Sequence, residues 1–100
     1  MRLKYVQLED LTPWSGNPRE NDHVVDRVVS SIKKFGFAAP IVANKDGTII
    51  AGHTRYKAAQ HMKLEKVPVH FLDLSAEEAE KLALADNKLN ELADWNDREL

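Results

Sequence analysis

The stretch Thr48-Ile49-Ile50-Ala51-Gly52-His53-Thr54-Arg55-Tyr56-Lys57-Ala58-Ala59 holds the residues best placed for chemistry. Its spacing predicts a short buried strand over Ile49 to Ala51, a glycine hinge, and a helix with Arg55 in its first turn. A strand that turns through glycine into a helix leaves backbone N–H groups unpaired at the helix start. Those groups and the helix dipole favour an anion there. If Ala58, Ala59 and Met62 form the apolar stripe, helical spacing puts Arg55 on the same face. An inward arginine requires a partner. A phosphate matches its two-pronged guanidinium, and so does a carboxylate of the fold such as Asp86; these residues alone admit both.

Other polar residues are candidates by position. Asn17-Pro18-Arg19 sets a second arginine on a loop stiffened by proline, either as a solvated side chain or as a further phosphate contact. Asp86 and Asn87 fall beside the apolar stripe of a late helix, where polar groups must be satisfied. They do so either by bonding neighbouring loops or by touching a metal or nucleotide. His53, His61 and His70 are too irregularly spaced for zinc and read as solvated or packed side chains. The chain has no cysteine, which removes disulfides, thiolate metal ligands and cysteine nucleophiles. Neither zinc nor an iron–sulfur cluster is expected.

The 100 residues suit one domain with a modest core, and 43% hydrophobic against 30% charged residues is ordinary for a folded soluble protein. No apolar run approaches a membrane span and the start lacks a signal-peptide pattern, so a cytoplasmic protein without a membrane partner is expected. Net charge is −2, unevenly spread. Residues 45–72 carry five Lys/Arg against two Asp/Glu, while residues 73–100 carry three against nine. A general DNA-coating surface would be basic throughout, so any nucleic-acid or nucleotide contact must be local.

The elements that would position these residues follow in order. Leu3 to Leu8 alternates as a strand, and Glu9 to Arg19 is rich in turn formers. Asn21 or Asp22 caps a helix whose Val24, Val25, Val28, Val29, Ile32 and Phe35 form a core stripe, with Gly36 as a left-handed stop. Ile41 to Ala43 and Thr48 to Ala51 make a hairpin around Asn44-Lys45-Asp46-Gly47. The organising helix runs from about His53 to Met62, and Val67 to Leu72 is a strand with Pro68 near its start. Ser75 and Glu78 form a capping box opening a helix through Ala79, Leu82, Ala83, Ala85, Leu89 and Leu92. A fresh helix start at Asn96, cut short at Leu100, is expected to be a linker or helix over 94–100, leaving 1–93 as the domain. The pattern gives an α+β fold with a small mixed sheet and packed helices.

In combination, Asn17-Pro18-Arg19, Phe35-Gly36-Phe37, Pro40-Ile41-Val42, Ile50 to Arg55 and Val67-Pro68-Val69 resemble the N-terminal domains of ParB proteins. The chain is identified as a member of the ParB/sulfiredoxin superfamily, with the corresponding fold. Leu84 to Leu92 is similar to ParB-like domains that precede phage and bacterial DNA methyltransferases. The resemblance implies a nucleotide site, with CTP or ATP and magnesium as cofactors. Gly52, His53, Thr54 and Arg55 match its Gly-x-x-Arg phosphate segment, Lys57 its following basic residue, and Asn17 and Arg19 its Asn-Pro-x-Arg-like loop. Asp86 and Asn87 match the first two positions of the Glu-Asn-x-x-Arg segment that helps hold metal and phosphates, but Asn90 replaces the arginine. Sulfiredoxins carry a catalytic cysteine where His53 stands, so their chemistry is excluded.

The function expected is therefore a ParB-like nucleotide- or phosphate-binding domain of a DNA-associated protein, serving DNA modification, chromosome or plasmid partition, or transcriptional regulation. The alternative is an enzyme using the same pocket: a nucleotide hydrolase, a small-substrate kinase or a nuclease, with Asp86 and Glu91 as metal ligand and base. A third reading is an interaction module with a vestigial anion pocket, in which Arg55 bridges to Asp86 or another carboxylate inside the fold. The expected partners are nucleotide, DNA reached through regions outside this chain, and, in the full-length protein, a second copy of it.

Overall fold

The computed structural model describes residues 2–14 and 22–99, with the side chains of residues 3–14, 24–86 and 88. Its elements are β1 (Arg2–Gln7), a short 3-10 turn (Leu8–Asp10), α1 (Asp22–Phe35), β2 (Ile41–Asn44), β3 (Ile49–Ala51), α2 (His53–His61), β4 (Lys66–Leu72) and α3 (Ala76–Glu99). The strands form one mixed sheet in the order β1-β4-β2-β3. β1 is antiparallel to β4, β4 parallel to β2, and β2 antiparallel to β3. This is the expected α+β fold.

The period-2 alternation of the strands divides the sheet into two faces. Ile41, Ala43, Ile49, Val67 and Val69 point to one side and are fully buried with Ala59 of α2 and Leu11. On the other side, Ala51 pairs with Val42, and Val42 pairs with His70. That second face is left bare over β1, where Leu3 and Tyr5 are exposed. Pro68 stands in a strand with neighbours on both sides, which a missing N–H would ordinarily forbid. The register resolves this: pairing with β2 begins only at Val69, so Pro68 has a locally open edge.

Two helices differ from their predicted faces. In α1 only Val25 is buried among the residues assigned to the core; Val24, Val28, Val29 and Ile32 are half-buried, and Phe35 is 72% exposed. Phe35 sits at the last turn of α1, with the Lys34 ammonium 5.3 Å from its ring centre. In α3 the inward face is Ala79, Ala83 and Asp86, while Leu82 and Ala85 are exposed. Small residues on that face let α3 approach β3 closely, and the leucine lies off to the side. The backbone of α3 also continues unbroken to Glu99, so Asn96 lies inside a helix instead of starting one.

Local signals account for the joints. The capping box is formed, with the Ser75 N–H donating to Glu78 Oε1 at 3.1 Å and the Glu78 N–H to Ser75 Oγ at 3.2 Å. Gly36 ends α1 with φ +77°. At the hairpin tip, a Cβ on Gly47 would lie 2.6 Å from the Asp10 carbonyl oxygen, so the preceding loop packs directly on the turn. Thr12 extends that contact: its N–H donates to the Gly47 carbonyl at 2.9 Å, and its carbonyl accepts from the Ile49 N–H at 2.8 Å.

Asn44 is the buried polar residue that fastens α3 to the sheet. Its Nδ2 donates to the Leu74 carbonyl at 3.0 Å, and its Oδ1 accepts from the Leu74 N–H at 2.9 Å. Asn44→Ala removes both bonds and leaves two backbone groups unmatched, a cost of about 2 kcal/mol. Thermal unfolding followed by circular dichroism should show Tm lowered by about 10 °C. The unfolding should remain a single transition.

Candidate functional site

The site grows from the junction between β3 and α2. Gly52 joins them with φ +91°, and a Cβ there would come 3.2 Å from the Ile41 Cα. Any side chain is therefore both strained and pressed against β2. Helical bonding begins with the Tyr56 N–H on the Gly52 carbonyl at 3.0 Å, and the N-cap, a glycine, brings no side chain to cap α2. The amides of His53, Thr54 and Arg55 thus precede the helical ladder. The first turn carries no acidic residue to offset the dipole.

This junction opens into a cleft of about 630 Å³. Its floor is the sheet row Ala51, Val42 and His70, one wall is Val24, Val25 and Val28 of α1, and the other is Ala83 and Asp86 of α3. Gly52, His53, Thr54, Arg55 and Lys57 supply its polar corner. The α1 valines that looked like pure core are therefore cleft wall. A stripe facing a partly empty cleft carries the same period as one facing packed atoms, so periodicity cannot separate them.

The residues singled out from the sequence fall in three groups. Gly52, His53, Thr54, Arg55, Lys57 and Asp86 all line the cleft. Asn17 and Arg19 lie outside the described residues, as does the side chain of Asn87. Lys57 and Asp86 are each engaged by another group of the chain. Arg55 makes no ion pair among the described residues, where Lys45 pairs with Asp73 and Lys81 with Glu77. Among the described residues no three His, Asp or Glu side chains converge as a metal cage.

Trp14 and His70 were not read as site residues, and the structure puts both on the cleft beside His53. Both histidines are half-buried, in keeping with packed side chains, and both border the cleft. His70 left one trace in the sequence: it alternates with Val67 and Val69, so it must face the opposite side of the sheet. The Trp14 N–H donates to His53 Nε2 at 3.3 Å. That bond requires the imidazole to be neutral at Nε2. Burial, with the nearby Lys57 ammonium adding to it, holds His53 below its ordinary pKa of 6.5.

The chain belongs to the ParB N-terminal domain family, whose profile matches residues 1–88. It is 39% identical over 70 residues to the ParB-like nuclease domain-containing protein YnaK of Escherichia coli, covering 69% of this chain and 80% of that protein. It is 35% identical over 81 residues to a probable plasmid-partitioning protein ParB of Thermus thermophilus, covering 78% of this chain but 27% of the relative. In three dimensions it resembles the C-terminally truncated chromosome-partitioning protein ParB of Caulobacter crescentus complexed with CTP-gamma-S. The TM-score is 0.75 at 22% identity, over 87% of this chain and 53% of that one. Sulfiredoxin from Arabidopsis thaliana shares the fold at TM-score 0.71 and 23% identity, over 82% of this chain and 97% of that one. The fold is that of the ParB/sulfiredoxin superfamily. Among the described residues no helix is long and apolar enough to cross a membrane.

The state of His53 sets a pH dependence. Its folded pKa lies below the unfolded 6.5, so the unfolded chain takes up the proton first as pH falls. The contribution is complete above pH 6.5 and is lost as pH drops through the folded pKa. Asp46 and Glu78 are also held below their ordinary 3.8 and 4.5, first of all by the backbone N–H of Thr48 and of Ser75 respectively. Their losses fall at lower pH. Between about pH 7 and pH 5, Tm of the parent should therefore fall more steeply than Tm of His53→Gln, as scanning calorimetry would measure.

Proposed function

We propose that this domain binds a nucleoside triphosphate, CTP or ATP, with the phosphates at the start of α2 and the nucleoside lying along the cleft. The observation that carries the reading is an uncapped helix start beside Arg55, a guanidinium with no ion pair among the described residues. Amides ahead of the helical ladder, a first turn without an acidic residue and a guanidinium all favour a phosphate. The cleft volume of about 630 Å³ falls within the range of ligand sites. The similar fold of the Caulobacter protein, complexed with CTP-gamma-S, supports the same reading.

Within this proposal Lys57 adds charge near the phosphates, and Arg19 and Asn17, which lie outside the described residues, are further contacts that the family resemblance implies. Magnesium would be held mainly by phosphate oxygens and water, as its chemistry prefers, with Asp86 of the cleft lining as a candidate carboxylate and Asn87 next to it in the chain. A domain of this kind would serve a longer DNA-associated protein, since the partition relative is covered over only 27% of its length. DNA would be reached through regions outside this chain.

Each aligned charge-assisted hydrogen bond contributes about 1.5–3 kcal/mol, so two or three sustain roughly micromolar binding after association costs. Calorimetric titration of CTP, ATP and GTP with magnesium should show such binding for at least one nucleotide. Arg55→Ala should abolish it and leave Tm nearly unchanged. Absence of binding by the parent overturns the proposal, and a marked loss of Tm in Arg55→Ala favours an internal structural role instead.

A further inference from the structure

The bond from the Trp14 N–H to His53 Nε2, 3.3 Å long, decides where the imidazole carries its proton. A main-chain amide N–H only donates, so Nε2 must accept. A neutral imidazole that accepts at one nitrogen bears its hydrogen on the other. His53 is therefore held as the tautomer with the proton on Nδ1. The amide that holds it has little freedom, because Thr12, two residues earlier, is bonded into the hairpin through both its N–H and its carbonyl. Nδ1 itself makes no hydrogen bond among the described residues. The buried side-chain nitrogen left unmatched there belongs to His70, so the Nδ1 of half-buried His53 is not closed off. Its place follows from covalent geometry. Only Cβ and Cγ join Nδ1 to Cα, which keeps it about 3–4 Å from the amide nitrogen of the same residue. That amide is the first of those ahead of the helical ladder of α2, and His53 lines the cleft.

We infer that His53 is an uncharged phosphate donor of this site: with Nε2 held by the Trp14 amide, its Nδ1–H joins the amides at the start of α2 and Arg55 in gripping the phosphates of the guest. The inference rests on the nucleotide reading and adds to it how a histidine serves an anion without becoming an imidazolium. The residue type matters. Lysine or arginine would bring charge but no acceptor for the Trp14 N–H, since neither has a lone pair to offer. A single amide side chain reaches only one of the two positions, glutamine about where Nε2 stands and asparagine about where Nδ1 stands. The imidazole serves both at once, receiving the loop on one nitrogen and donating to the guest from the other.

The test titrates tripolyphosphate, CTP, ATP and GTP, each with magnesium, into the parent, His53→Gln and His53→Asn at about pH 7.5, above the ordinary titration of histidine. In His53→Gln the side-chain carbonyl still accepts from the Trp14 N–H, but no donor remains beside the helix start. His53→Asn reverses this. His53→Gln should therefore keep the parent's Tm at that pH and bind tripolyphosphate and the preferred nucleotide at least about tenfold more weakly, the value of one hydrogen bond to a charged group. His53→Asn should melt at a lower temperature and stay within about threefold of the parent's affinity. Equal affinities in the two variants, whether both kept or both lost, overturn the inference alone and leave the phosphate site standing. Failure of the parent to bind either tripolyphosphate or nucleotide overturns both. Nitrogen NMR of the parent gives a readout that a merely structural role would not move: a proton on His53 Nδ1 in the free protein, and a shift of that N–H when tripolyphosphate binds. A proton on Nε2 instead, or an Nδ1 resonance unmoved by bound tripolyphosphate, refutes the contact even if neither variant folds.

Discussion

Gly52 sits where β3 gives way to α2 with its backbone in the left-handed region, hard against Ile41 of β2. That single close approach determines much of what surrounds it. Because no side chain intervenes, α2 starts directly above the sheet and its first amides project past the strand end. The same proximity brings Ala58 and Ala59 down into the buried layer, and Arg55, on the helical face they define, lands at the cleft. A larger residue at this hinge would push the helix start away from the sheet and disperse the groups that converge there.

A second series of contacts works from the opposite side. The turn at Gly47 receives the Asp10 carbonyl, Thr12 is bonded into the hairpin, and the Trp14 amide reaches His53. The early loop is thus fixed step by step to the hairpin and then to the helix start. The sheet meanwhile separates two tasks. One face is sealed by aliphatic side chains and supplies stability, whereas the other carries small residues and a histidine and supplies space.

Much of this was readable in the residues because it depends on neighbours in the chain. The capping box at Ser75, the glycine stop at Gly36, the hairpin turn before Thr48 and the strand–glycine–helix junction are all local, and all formed where their residue types placed them. Faces were harder. Periodicity located α1 and α3 but misassigned Phe35, Leu82 and Ala85 to buried positions. A helical stripe shows which residues lie together, but how far a sheet extends beneath them depends on the strands it crosses. Pro68 teaches the same lesson, since its tolerance depends on where a distant strand begins to pair.

What the residues alone determined was the alternation of elements, the anion-favouring character of the Gly52–Arg55 segment and the absence of thiol chemistry, since each follows from side-chain type and short-range geometry. Only the tertiary structure decided that the α1 valines border a cleft, that Asp86 faces it, that Arg55 meets no carboxylate among the described residues, and that the His70 nitrogen is buried without a match there. The reason is physical. Those properties are set by which strand lies next to which, and the order β1-β4-β2-β3 joins segments far apart in the chain through a register that local preferences do not specify.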